Sequence, residues 1–135
     1  MENLLENDIV GTIGTQKYLC KITWNKGTLI MDEPVDIEGG DLGPDPYSVL
    51  LASLAGCTLS TLRMYIDRKG WDIPEISVQL NMFQEPLPVL TTHIKRDITF
   101  SSDVPEDQKA RLLTIATKCP VSKILENKIE IKNSI

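Results

Sequence analysis

The sequence predicts an α+β fold, with antiparallel sheets around one long, buried, cysteine-bearing helix. Three observations carry that expectation. Apolar and polar residues alternate in the first third of the chain and again near 75–100. An uninterrupted helical run occupies 46–69. The order is strands, long helix, strands, helices, not the strict alternation of a parallel fold. At 135 residues, 41% of them hydrophobic and 24% charged, the chain reads as one domain, 1–135, large enough to bury a core.

The elements follow in order. "DIVGTIG" is a weak first strand. "KYLCKITW" places Tyr18, Cys20, Ile22 and Trp24 on one face, expected to point inward, with Cys20 as core. Asn25 to Gly27 makes a tight turn, and "TLIMD" is the hairpin partner. "EGGDLGPDP" is a loop, since its glycines and prolines cannot continue a strand. Asp45 then caps a helix with Pro46 at its first position, and Gly70 stops it in the left-handed conformation after Lys69. The helix's first half, "YSVLLASLAGCTL", is apolar nearly all round and should be buried on most sides. Its second half, "RMYIDRKG", is amphipathic and should emerge into solvent.

"EISVQLNMF" and "THIKRDITF" alternate as a strand pair, joined by "EPLPVL", whose prolines forbid regular pairing at the tip. Pro105 opens a second helix reaching Lys118, with Leu112, Leu113, Ile115 and Ala116 on its apolar side. A short third helix begins at Pro120, and "KIEIKNSI" is expected as an edge strand.

Composition narrows the function. Net charge is −5 and basic residues are scattered, so neither nucleic acid nor an anionic membrane has electrostatic support. Two Phe, two Trp and three Tyr are too few for a base-stacking surface. The N-terminus lacks the pattern of a signal peptide, and no segment is read as the ~20-residue apolar run of a membrane span. Three cysteines without framework spacing point to a reducing cytoplasm.

Chemistry rests on the thiols. Cys57 lies in the apolar helix beside Ser53, Ser60 and Thr61, a polar stripe whose hydroxyls also have the option of bonding back to the preceding turn. Taken alone, Cys57 reads first as a small core residue, since free cysteine is among the most often buried side chains. Cys119 precedes Pro120 as a cap residue, where backbone N–H groups lower a thiol's pKa, or it fills space at a helix junction. His93, the one histidine, falls on the strand face opposite Ile94, Ile98 and Phe100, which gives a Cys–His pair little support. With no CxxC and one imidazole, zinc is not expected.

"LGPDPYSVLLASLAGCTLSTL", followed about sixty residues later by "KCPVSKIL", is similar to the OsmC/Ohr family, and "GGDLGPDP" resembles its YhfA-like branch most. The resemblance implies an intertwined homodimer with the cysteine helices buried between sheets. It implies reduction of small organic hydroperoxides in oxidative stress defence: the cysteine matching Cys57 is attacked to a sulfenic acid and the one matching Cys119 resolves it. No cofactor is bound, and an external dithiol of lipoyl type restores the thiols. Leu50, Leu54, Met64 and Tyr47 are expected to line the substrate pocket. The family supports the thiolate with an arginine from the N-terminal strands held by a glutamate. Here Tyr47 and Ser48 occupy the glutamate's place and those strands hold no arginine. The candidates for a supporting cation are Lys17 (or Lys21), Arg63 and Arg96, with Lys118 adjoining Cys119. The alternative is a non-enzymatic protein of the same fold that binds a small ligand or senses redox state.

Overall fold

The structure, a computed structural model describing residues 2–135, has the α+β class expected. The chain divides into two compact units, Met1–Leu50 and Leu51–Ile135.

In the first unit, β1 (Val10–Ile13), β2 (Cys20–Trp24) and β3 (Gly27–Met31) form an antiparallel meander in that order. Asn25 and Lys26 turn the β2–β3 hairpin as the sequence predicts. Beyond β3 the chain is organised by a single carboxylate. Asp32 is 2% exposed and accepts N–H bonds from Glu33 (2.8 Å), Tyr18 (3.0 Å), Leu42 (3.2 Å) and Gly40 (3.4 Å). Burial pushes its pKa up, but these four donors outweigh that and hold it below the ordinary carboxylate value. They fold the 33–42 segment, which contains a 3₁₀ turn at Val35–Ile37, back towards β3. A side chain at Gly43 would run into the Ile30 carbonyl, so the loop needs glycine there. One expectation fails in this unit. Cys20 is half-buried and faces the Tyr18 carbonyl at 3.5 Å, while Tyr18 and Trp24 on its face are exposed. Strand alternation identified an apolar face correctly but says nothing of what covers it.

The long helix α1 (Pro46–Lys69) has the bounds expected, capped by Asp45, whose carboxylate accepts from the N–H groups of Tyr47 and Ser48 and from the Ser48 hydroxyl. Gly70 ends it with φ +68°. Its first half is less buried than expected: Leu54 and Thr58 are buried, whereas Tyr47 and Leu50 are exposed. The second half exposes Met64 but supplies Leu62, Tyr65 and Ile66 to the core. The amphipathic half has one face to bury and finds a partner for it within the chain. By length and composition alone α1 is apolar enough to cross a membrane, contrary to the sequence reading. Packing of Leu62 and Ile66 against other elements of the chain makes it a core helix instead.

In the second unit, β4 (Ile76–Glu85) and β5 (Thr91–Phe100) pair antiparallel over their full lengths, with Val78 opposite Ile98 and Leu80 opposite Arg96. α2 (Glu106–Ala116) has Pro105 as its N-cap and stops two residues short of Lys118. Leu112, Ile115 and Ala116 join the core with Ile73 and Val104, and Phe100 and Ile98 pack against it. Leu113, expected on the apolar side, is instead exposed. α3 (Pro120–Leu125) begins where the sequence places it. Residues 128–135 form no strand. The segment joins neither sheet, and an isolated strand would leave its ladder unpaired.

Candidate active site

The site is built where α1, β5 and the start of α3 meet within the second unit. Cys57 lies in the middle of α1, and Cys119 is the cap residue before Pro120, as the fixed φ of proline at a first helical position favours. The fold brings these two thiols within hydrogen-bonding reach of one another. The Val121 N–H also donates to Cys57 Sγ at 3.5 Å. Cys57 is half-buried and Cys119 is fully buried.

The surroundings treat the thiols differently. Burial pushes the Cys57 thiol up, its hydrogen bond to Cys119 pushes it further, and the Val121 N–H and Thr61 hydroxyl oppose this without reversing it. Burial also pushes Cys119 up. There, however, the Cys57 thiol, the Ser122 N–H and hydroxyl and the Val121 N–H together bring it below the ordinary value.

Arg96 closes the site from β5. Its Nη1 donates to Ser122 Oγ at 2.8 Å and to Thr58 Oγ1 at 3.0 Å, and its Nη2 donates to the Ala116 carbonyl at 3.3 Å. Thr58 is fully buried, donates to the Leu54 carbonyl at 2.7 Å and stands 4.0 Å from Cys119 Sγ. Among the described residues, no carboxylate forms an ion pair with Arg96. Arg96 and Ser122 also line a cleft of about 360 Å³ whose walls include Leu54, Ile94, Ile98 and Leu125.

The other residues singled out in the sequence fall elsewhere. Leu54 lines the cleft, but Tyr47, Leu50 and Met64 are exposed. Arg63 pairs with Asp67 at 3.4 Å and donates to the Pro74 carbonyl at 3.1 Å. Lys17, in the first unit, pairs with Glu38 at 3.7 Å. Lys21 and Lys118 are exposed. His93 stacks on Phe83 and pairs with Glu85 at 2.8 Å on the opposite face of β5 from Arg96. Thr58 and Ser122 were missed. A signal for the network was present: Arg96 shares the strand parity of Ile94 and Ile98, and a charge on an apolar face needs polar partners.

Residues 39–134 match the family model described as "OsmC-like protein". Among curated proteins none matches the chain significantly. Solved structures share the fold at low identity. An OsmC-like protein from Mycoplasma pneumoniae is 18% identical with a TM-score of 0.76, over 92% of this chain and 89% of that one. An organic hydroperoxide resistance protein from Legionella pneumophila is 15% identical with a TM-score of 0.68, over 92% and 91%. The organic hydroperoxide resistance protein OhrB of Bacillus subtilis is 18% identical with a TM-score of 0.66, over 96% and 97%.

Proposed function

The chain belongs to the OsmC-like protein family, and from that premise we propose that it is a thiol-dependent reductase of small organic hydroperoxides. On this reading Cys57, the more accessible sulfur, attacks the peroxide and Cys119 closes the disulfide. An external dithiol of lipoyl type then restores both, in a reducing cytoplasm and in defence against oxidative stress. The observation that carries the reading is the meeting of two cysteines from opposite ends of the second unit, where the N–H of Val121, two residues past Cys119, donates to Cys57 Sγ at 3.5 Å. The names of the Legionella and Bacillus structures support the substrate class.

The active form is a homodimer on the same reading. Tyr47, Leu50 and Met64 give α1 an uncovered apolar surface, and residues 128–135 carry exposed Ile129 and Ile131 with no strand beside them. A second copy would cover both.

The test is direct. One equivalent of cumene hydroperoxide added to the reduced protein removes two thiols and forms one intramolecular Cys57–Cys119 disulfide, mapped by peptide analysis. Cys119→Ser stops at a sulfenic acid on Cys57, trapped by a dimedone-type probe. Cys57→Ser leaves Cys119 reacting far more slowly. Thiols that stay reduced in the wild-type protein overturn the reading. They favour a non-enzymatic small-ligand-binding or redox-sensing protein, to which the Arg96 cleft, with no carboxylate partner, is also suited.

A further inference from the structure

The sequence scatters its basic residues, but the fold gathers three of them around one aromatic ring, away from the thiols. Tyr65, Arg68 and Lys69 stand at i, i+3 and i+4, and so share one face at the end of α1. Leu112, Ile115 and Ala116 of α2 join Leu62, Tyr65 and Ile66 in the core, and α2 brings Arg111 to the same ring. The guanidinium carbons of Arg68 and Arg111 lie 5.4 and 5.6 Å from the Tyr65 ring centroid, and Lys69 Nζ lies 5.7 Å from it. Tyr65 itself is only 5% exposed, and its phenol oxygen accepts a hydrogen bond from Arg111 Nε at 2.9 Å.

These groups still have hydrogens to donate. Among the described residues the Tyr65 O–H has no acceptor, and neither have the two amino groups of Arg111. No carboxylate there forms an ion pair with Arg68, Lys69 or Arg111. Asp67, the nearest in sequence, pairs with Arg63 at 3.4 Å instead. Asp72 beyond the helix and Asp107 on α2 are exposed and unpaired. Cations in a last helical turn offset the helix dipole, which accounts for Arg68 and Lys69. It does not account for Arg111, which comes from another helix, or for a buried phenol hydrogen without an acceptor. Three full positive charges also exceed the roughly half unit of negative charge at a helix C-terminus. An excess of this size is local, since the whole chain carries −5.

We propose that Tyr65, Arg68, Lys69 and Arg111 form a binding site for a phosphate dianion, either inorganic phosphate or the monoester group of a small molecule. A carboxylate offers one charge and two oxygens, too little for three cations and a phenol. A phosphate monoester offers about −1.5 to −2 charge and three acceptor oxygens. The free edge of Arg111 suits two of those oxygens side by side, and the Tyr65 O–H suits one. The Arg111 hydrogen bond also holds the Tyr65 phenol below the ordinary tyrosine value against the effect of burial, which makes its O–H the stronger donor. The site shares no residue with the Arg96 network, and it stands whether or not the thiols reduce a peroxide.

The test is a nuclear magnetic resonance titration of the full-length, isotope-labelled protein, following the Arg111 Nε–H and Trp71 indole N–H signals. Trp71 packs edge-on against Tyr65 and reports on the site from its border. Inorganic phosphate, methyl phosphate and dimethyl phosphate are each added at about pH 7.5, where the first two are largely dianions. Sodium chloride holds the ionic strength constant. Inorganic phosphate and methyl phosphate should shift both signals to saturation, and dimethyl phosphate, with one charge, should bind about tenfold more weakly or worse. Methyl phosphate binding at least as tightly as inorganic phosphate assigns the site to a group carried on a small molecule; weaker binding assigns it to free phosphate. Lys69→Gln and Arg111→Gln should each weaken binding about tenfold, and Tyr65→Phe severalfold, while Lys95→Gln should leave it unchanged. Circular dichroism establishes that each variant is folded. Should the Tyr65 or Arg111 variant not fold, Arg68→Gln and Lys69→Gln, both at exposed positions, carry the test. Shifts that never saturate, equal binding of dimethyl phosphate, or full affinity in folded Arg68→Gln and Lys69→Gln proteins overturns the proposal.

Discussion

The two units of this chain are held together by different means. Residues 51–135 contain every buried hydrophobic side chain among the described residues, from Leu54 to Cys119. Residues 2–50 bury only Asp32, and leave Leu5, Ile9, Val10, Ile13, Tyr18 and Trp24 exposed. One unit is organised by close packing and the other by backbone ladders and a carboxylate. A three-stranded meander with an uncovered apolar face is short of the burial a stable small unit needs. That contrast is the physical case for a second subunit.

The largest effect expected from the contrast is on assembly. Light scattering should report a homodimer at micromolar concentration, with an interface well above the ~1,600 Å² of a standard one. A well-folded monomer would break the comparison, since the first unit would then be stable uncovered. Next comes Leu62→Ala, in the fully buried core of the second unit, which should cost about 2–5 kcal/mol in denaturant unfolding. The same truncation at Leu4, 92% exposed, should cost less than about 0.5 kcal/mol.

Acid should separate the units. Asp32 has a folded pKa below its unfolded value, so its contribution is complete above about pH 3.9 and is lost as pH falls through the lower folded value. Rate-corrected amide exchange should show Gly40 and Leu42 losing protection before Leu62 does, and Asp32→Asn should bring the same loosening to neutral pH. Simultaneous loss in both units would contradict the contrast. The smallest effect is at Cys20, the thiol of the first unit. Cys20→Ala should leave peroxide-driven oxidation within severalfold of wild type, and complete loss of activity at unchanged stability would move the chemistry to both units.

Much of this was legible in the sequence, because local signals set it. Asp45, Pro46 and Gly70 mark the ends of α1 by side-chain and backbone geometry alone, and Pro120 marks α3 with Cys119 before it. The thiol pair was legible only through two short motifs taken together. What sequence could not give was which apolar face finds cover within one chain. The first half of α1, the Cys20 face and residues 128–135 were all misread for that one reason. The role of Arg96 was hidden differently. Its hydrogen bonds join β5, α1, α3 and the last residue of α2, and no local pattern connects positions 58, 96, 116 and 122.

Asp32 reads only main chain. Its four donors are backbone N–H groups, so the side chains of Tyr18, Glu33 and Leu42 take no part in holding the segment that follows. The form of 33–42 is specified by one acidic letter, together with glycine at 39, where any Cβ would strike the Glu33 carbonyl. Apart from Glu38 and Asp41, which hold positive φ, and Gly40, close to the Asp32 carboxylate, the other positions have room to change their letter while the backbone keeps its course. A segment written this way can drift in sequence at little structural consequence, gaining charge here or an apolar contact there, and so vary what it shows the outside from one relative to the next on an unchanged frame.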